Sequence, residues 1–183
     1  MKLVFLGPPG AGKGTQAKLL AQNKNIPHIS TGQIFRDNIQ NKTKLGAKAQ
    51  AFNDKGILVP DEITNEMVKL RLTKDDCEKG YILDGYPRTV PQAEFLDSIV
   101  NIDRVVCFYL SDDEAMKRMM GRAVSKPGRA DDNEEVIKTR IKQYEQKTKP
   151  LIDFYKDKEN LLMIDANPEI EVIQKDVIDK LNQ

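Results

Sequence analysis

The chain opens on "KLVFL" (Lys2–Leu6), in which four consecutive apolar residues run up to Gly7. A short run without polar alternation fits a strand covered on both faces. After a glycine-rich turn, "AKLLAQ" spaces its apolar residues as a helix packed on one side does. "IPHI" reads as a second short strand, and "GYILDG", "RVVCFYL" and "LLMID" as three more. The segments after these three, "PQAEFLDSIV", "DDEAMKRMM" and "PEIEVIQKDVIDKL", read as helices. The alternation predicts an α/β fold, a buried parallel sheet covered by helices.

Two stretches interrupt it. Residues 30–59 are polar and helical in pattern, and "AVSKPG" separates Arg122 from Arg129. A further helix is predicted from Asp132, with Asp132 as its cap and Glu135 three residues on as the partner of a capping box. Its apolar face is Ile137, Ile141 and Tyr144, and Pro150 should kink or end it. The chain has no internal repeat and no low-complexity tract.

At 183 residues one well-cored domain is expected. The 29 basic and 28 acidic side chains nearly cancel, which argues against nucleic acid or a membrane surface as a partner held by net charge. Cys77 and Cys107 are thirty residues apart and His28 is the single histidine, so the spacing offers no zinc site and no disulfide framework. A reducing cytoplasm is expected. No run has the length of a signal peptide's apolar region or of a membrane span.

The turn after the first strand is "GPPGAGKGT". Gly7, Gly10, Gly12 and Gly14 let the backbone curl with its N–H groups inward, and the helix that follows points its positive end at the same place. Lys13 adds a full charge for the outer phosphates of a nucleotide. The general phosphate-loop pattern expects Ser or Thr after this lysine, but Gly14 stands there and the hydroxyl comes one residue later, at Thr15.

Arginine usage is the second signal. Eight Arg stand against 21 Lys, so each Arg asks for a reason that Lys would not satisfy. A planar guanidinium binds phosphate bidentately and never deprotonates. Arg36, Arg88, Arg118, Arg122, Arg129 and Arg140 are the phosphate candidates, with Arg118 and Arg122 on one helix face; Arg71 and Arg104 read as surface residues. Asp84 ends the strand in "YILDGYPRT", the end at which open parallel sheets gather ligand groups, and suits the water shell of a magnesium ion.

With "GPPGAGKGTQA", "HISTGQIFR", "GILVPDEIT", "ILDGYPRTVPQAE", "GRADDNEE" and "TKPLIDFY" in this order, the chain resembles the short-lid adenylate kinases over nearly its whole length. The ending "GKGT" is typical of nucleoside monophosphate kinases. The resemblance implies a P-loop fold, a five-stranded parallel sheet with helices on both faces, in a single domain. Its core would be 1–29, 60–122 and 131–183, with an AMP-binding insert at 30–59 and a short lid at 123–130. It further implies ATP, AMP and ADP as partners, magnesium with ATP, and a cytoplasmic monomer.

By position, the resemblance gives Gly10, Ala11, Gly12, Lys13, Gly14 and Thr15 to the ATP phosphates, with Arg118 and Arg122 reaching them from the lid base. Pro168, in "DANPE", falls where a backbone carbonyl of the family meets the ATP adenine. Thr31, Arg36, Ile57, Leu58, Val59, Gly85, Tyr86, Pro87, Arg88 and Gln92 would form the AMP pocket. Arg129 and Arg140 would bridge the two nucleotides and the phosphoryl group in transit, so that Lys13, Arg88, Arg129 and Arg140 are the catalytic set. Gln33, Ile34 and Phe35 depart from the family's Asp, Met and Leu, and Tyr86 from its commoner Phe. The lid has no room for the zinc-bearing domain of longer relatives.

The acceptor, a phosphate oxygen of AMP, is already anionic near neutral pH. No general base is needed, and His28 reads as a packed or surface residue. A UMP/CMP kinase is the nearest competing reading; Thr89, and Gln92 with a donor and acceptor to match an adenine edge, favour AMP. A module that binds ATP only to switch would lack the acceptor site that "STGQIFR" and "DGYPRT" supply.

Overall fold

The protein is described from a computed structural model covering residues 1–125 and 133–183, the side chains of 123–125 excepted. Five strands, β1 (Lys2–Leu6), β2 (His28–Ser30), β3 (Tyr81–Asp84), β4 (Arg104–Tyr109) and β5 (Leu161–Asp165), form one parallel sheet in the order β2-β3-β1-β4-β5. All five lie where the apolar runs predict them.

The unbroken apolar character of the central strands has a direct cause. Leu3 and Phe5 of β1, with Val106 and Phe108 of β4, pack on one face against Ala17 and Leu20 of α1 (Lys13–Lys24) and Ile173 and Val177 of α9 (Ile170–Leu181). Val4 and Leu6, with Val105 and Cys107, face the other way, onto Met67 of α4 (Asp61–Leu72), Leu96 of α5 (Val90–Ile99) and Leu151 of α8 (Leu151–Lys156). A strand buried on both faces has no position left for a polar residue. Each fully buried Leu, Val or Phe here contributes about 1.5–3 kcal/mol relative to exposure.

The stretch expected as an insert folds as α2 (Thr31–Gln40) and α3 (Lys44–Asp54), capped by Ser30, which accepts from the Gln33 N–H, and by Thr43, which accepts from the Gly46 N–H. Phe35, Ala49 and Val59 join the second core, so the insert is seated on the body through apolar contacts. α6 (Asp112–Ser125) starts on three carboxylates, which suit a helix N-terminus, and the first three residues of the expected lid continue it. The rest of that lid, with Arg129, lies outside the described residues. Ala115 and Met119 of α6 pack on Ile137 and Ile141 of α7 (Glu134–Gln143).

Three details differ from the sequence reading. α7 is capped by Asn133, whose side chain accepts from the Val136 N–H at 3.0 Å; Asp132, the expected cap, lies outside the described residues. Its regular pitch also ends before Pro150, in a π turn over Tyr144–Thr148 closed by the Lys149 N–H on the Tyr144 carbonyl at 2.9 Å. Lastly, α4 occupies a stretch in which no element was expected. Its apolar positions are broken by Thr64 and Asn65, but Asp61 and Glu62 open it and Lys69 and Arg71 close it, the charge order that a helix dipole favours.

Candidate active site

The site lies at the carboxyl ends of β1 and β3, which are hydrogen-bonded neighbours with Phe5 opposite Asp84. The loop leaving β1 delivers the glycines and Lys13. Gly12 caps α1 at φ 78°, a left-handed conformation that glycine adopts without strain, and no carboxylate sits in the helix's first turn. The first-turn N–H groups of a helix have no intrahelical acceptors and therefore suit an anion. Lys13 Nζ lies over this loop, donating to the carbonyls of Gly7 and Pro8, both at 2.7 Å.

Burial pushes the Lys13 ammonium down to about 8, helped by Arg88 and Arg140 and opposed by Asp84. Burial alone would raise the Asp84 carboxyl, but the hydrogen bond from His28 and the charges of Lys13 and Arg88 hold it below its ordinary value. Its Oδ2 lies 3.2 Å from His28 Nε2 and 3.4 Å from where a Cβ would stand on Gly14. An ionised carboxylate beside the loop, with the Thr15 hydroxyl on the same cleft, fits a hard cation that keeps most of its own waters. One carboxylate and one hydroxyl do not make a closed metal cage.

A cleft of about 720 Å³ opens over these groups, and Gly10, Gly12, Lys13, Gly14 and Thr15 form part of its wall. It also gathers Arg36 from α2, Arg88 and Pro87 from the β3 loop, Arg118 and Arg122 from α6, and Arg140 from α7. A second cavity of about 90 Å³ adjoins it, lined by Thr31, Ile57, Leu58, Val59, Gly85 and Gln92. Arg36, Arg88 and Arg140 wall both. Ala11, Tyr86 and Pro168 stand outside both walls, Ala11 and Tyr86 being fully buried beneath them.

Arg88 is held at its side chain and at its backbone. Its Nε donates to the Gly85 carbonyl at 2.8 Å, which also accepts from Thr31 Oγ1 at 2.8 Å, and its own carbonyl accepts from Thr148 Oγ1 at 2.9 Å. A Cβ on Gly85, at φ 78°, would come within 2.8 Å of the Arg88 guanidinium. Arg36 donates to Gln33 Oε1 at 2.9 Å, so the residue that departs from the family's Asp gives this guanidinium a neutral partner. Arg118 donates to Glu114 and to the carbonyls of Ala166 and Asn167, which ties the base of α6 to the loop carrying Pro168.

Four residues of the site escaped the sequence reading. His28, which pairs with Ile82, reaches Asp84 diagonally across the β2–β3 ladder, a contact that only the strand register decides. Thr148 reaches Arg88 only because the π turn rotates it there. Asp61 and Asn65, on the unexpected helix α4, bond to Gln92 and Tyr86. Of the two arginines read as surface residues, Arg104 is exposed, but Arg71 borders the cleft with its guanidinium held bidentately by Asp76 at 2.7 and 2.8 Å.

The adenylate kinase family model matches residues 5–160. Among similar proteins, an adenylate kinase of Bifidobacterium longum is 47% identical, covering 99% of this chain and 100% of its own. One from Corynebacterium urealyticum is 47% identical over 96% of each chain. One from Acetivibrio thermocellus is 44% identical over 100% of this chain and 98% of its own. That last alignment runs to 213 positions against 183 residues here, so the Acetivibrio protein carries segments that this chain lacks.

Proposed function

The chain belongs to the adenylate kinase family, and we propose that the two adjoining cavities are its two nucleotide sites, bridged by the arginines they share. It transfers the terminal phosphoryl group of ATP to AMP, reversibly, giving two ADP. The observation that carries the site assignment is that Arg88 and Arg140 wall both cavities, where a phosphoryl group passing between two nucleotides must travel.

In this reading the larger cleft takes ATP. Gly10–Thr15 wrap its phosphates, Lys13 turns from the loop carbonyls to them, and Arg122 approaches from α6. Arg118 fixes the loop of Pro168 against α6, where the adenine would lie. The smaller cavity takes the AMP base between Val59 and Gln92, with Thr31, Arg36 and Arg88 at its phosphate. Asp84 would hold magnesium through water, beside Thr15. Held there, magnesium would supply positive charge against the phosphates.

The acceptor oxygen is anionic, so no side chain has to remove a proton. His28 is bonded to Asp84 and has no catalytic part; it keeps that carboxylate ionised and oriented. What this chain supplies is alignment and positive charge. Arg88, braced by Gly85 and Thr148, and Arg140 face the phosphoryl group from two elements, and Arg129 joins them by family resemblance. Each arginine aimed at such a transition state is worth about 10³–10⁵ in rate, or about 4–7 kcal/mol. Water is the competing acceptor, and the insert at 30–59 closes over AMP to exclude it.

The 186-position alignment with the Bifidobacterium protein supports the short-lid organisation. The described walls of both cavities come from one chain, which supports a monomer. Two buried free thiols, Cys77 and Cys107, support a reducing cytoplasm. No helix among the described residues is long and apolar enough to cross a membrane. The test is ADP formation from ATP with AMP, UMP or CMP as acceptor. AMP is expected to be used at least a hundredfold more efficiently; faster use of UMP would overturn the acceptor pocket as drawn.

A further inference from the structure

Gln92 is 2% exposed, yet it is part of the wall of the smaller cavity. Two neighbours bond to it, and their chemistry leaves it one orientation. The backbone N–H of Arg88, which can only donate, meets Oε1 at 2.7 Å. The carboxylate of Asp61, which can only accept, takes Nε2–H at 2.7 Å. Asp61 is in turn fixed by Thr89, whose hydroxyl donates to its Oδ2 at 2.8 Å.

A primary amide has two N–H donors and two acceptor lone pairs. With one of each used, Gln92 offers one acceptor and one donor, in a fixed order. Adenine presents a donor at its 6-amino group beside an acceptor at N1. A 6-oxopurine presents the reverse, an acceptor at O6 beside a donor at N1. Only a flipped amide would fit the second, and the flip would set Oε1 against the Asp61 carboxylate and Nε2–H against the Arg88 N–H. Unpaired buried groups of this kind are costly.

We infer that Asp61 is a positioning residue for base choice: by fixing the Gln92 amide it makes the acceptor pocket select 6-aminopurine over 6-oxopurine monophosphates. The inference rests on the reading of the smaller cavity as the AMP base site. Asp61 itself lines neither cavity.

The test uses the full chain and measures kcat and KM for AMP, the KM for ATP, and kcat/KM for IMP. Asp61→Ala is expected to raise the KM for AMP at least tenfold and to lower the AMP-to-IMP ratio of kcat/KM at least tenfold. Its kcat at saturating AMP and its KM for ATP should stay within threefold. Asp61→Asn, whose amide oxygen can still accept from Gln92, should restore the KM for AMP to within threefold. Should the alanine variant lack a cooperative melt, Asp61→Ser, too short to reach Gln92 but well suited to a helix start, should move the same two readouts at least threefold. An unchanged ratio overturns the inference, as does an equal loss in kcat and in both KM values. Gln92→Ala, run in parallel, separates the two levels. If it leaves the KM for AMP unchanged, the base site is misread and the inference falls with it; if it raises that KM while Asp61→Ala does not, the role of Asp61 alone is refuted.

Discussion

At the scale of the residue, the site rests on guanidinium groups and one lysine whose surroundings set their charge. Arg88→Ala and Arg140→Ala remove charge from the wall that the two cavities share, the proposed path of the phosphoryl group, without opening the apolar core, so kcat should fall by about 10³ or more. The thermal midpoint should stay within a few degrees of the parent. Turnover within tenfold of the parent in either variant would remove that arginine from the catalytic set. Lys13 behaves differently because it can lose its proton. With its ammonium held down to about 8, it is charged below pH 8 and increasingly neutral above. A bound triphosphate favours the charged form, so ATP binding must take up a proton wherever the free protein has lost it. Titration calorimetry at pH 8.5, in two buffers of different ionisation heat, should show uptake of more than about half a proton. Uptake should vanish by pH 7, and none at pH 8.5 would mean that Lys13 is not desolvated. The same lowering means that its charge opposes folding in full below about pH 8, and the penalty is relieved progressively as pH rises from 8 towards 10.5, because over that range the unfolded chain binds the extra proton.

At the scale of the element, what could be read in the sequence was whatever repeats with a period. All five strands were visible because a strand buried on both faces is apolar at every position, and α1, α5, α6 and α9 because their apolar stripes are regular. α4 was invisible for the opposite reason. Its inward face mixes Thr64 with Met67 and Val68, and its polar positions include Asp61 and Asn65, whose purpose appears only when Gln92 and Tyr86 are packed beside them. The phosphate loop and most arginines were legible because their residue types are chemically expensive to use idly. His28 and Thr148 were not, since a register and a helical irregularity decide their positions. The irregularity can be tested. The π turn at Tyr144–Thr148 amounts to one extra residue in a helix, and it aims Thr148 at the Arg88 carbonyl. Deleting the exposed Gln146 should restore a regular turn, carry Thr148 off Arg88 and lower kcat/KM for AMP about tenfold in a folded protein. Gln146→Ala should leave it unchanged. An active deletion variant would show that the turn does not brace Arg88.

At the scale of the whole molecule, charge is uneven in a way that net charge conceals. The chain carries a formal +1, yet Lys13, Arg36, Arg88, Arg118, Arg122 and Arg140 converge on one cleft, where Asp84 and Asp37 are the acidic residues of the wall. The attraction for nucleotides is therefore local, and its reach is about a Debye length, ~8–10 Å at physiological salt. Raising KCl from 0.05 to 0.5 M should raise the KM for ATP and for AMP several-fold, about five, while kcat changes less than twofold, because charges in contact with the reacting group are screened far less than those met on approach. A charge reversal outside that reach should do nothing. Lys79 is exposed in the turn before β3, and Asp84 ends that strand, whose four residues alone span about 10 Å. Lys79→Glu turns the formal net charge from +1 to −1 and should leave both KM values within 1.5-fold at either salt concentration. If instead it raises them as salt does, the field of the whole protein steers the nucleotides, and the arginine cleft is only where they come to rest.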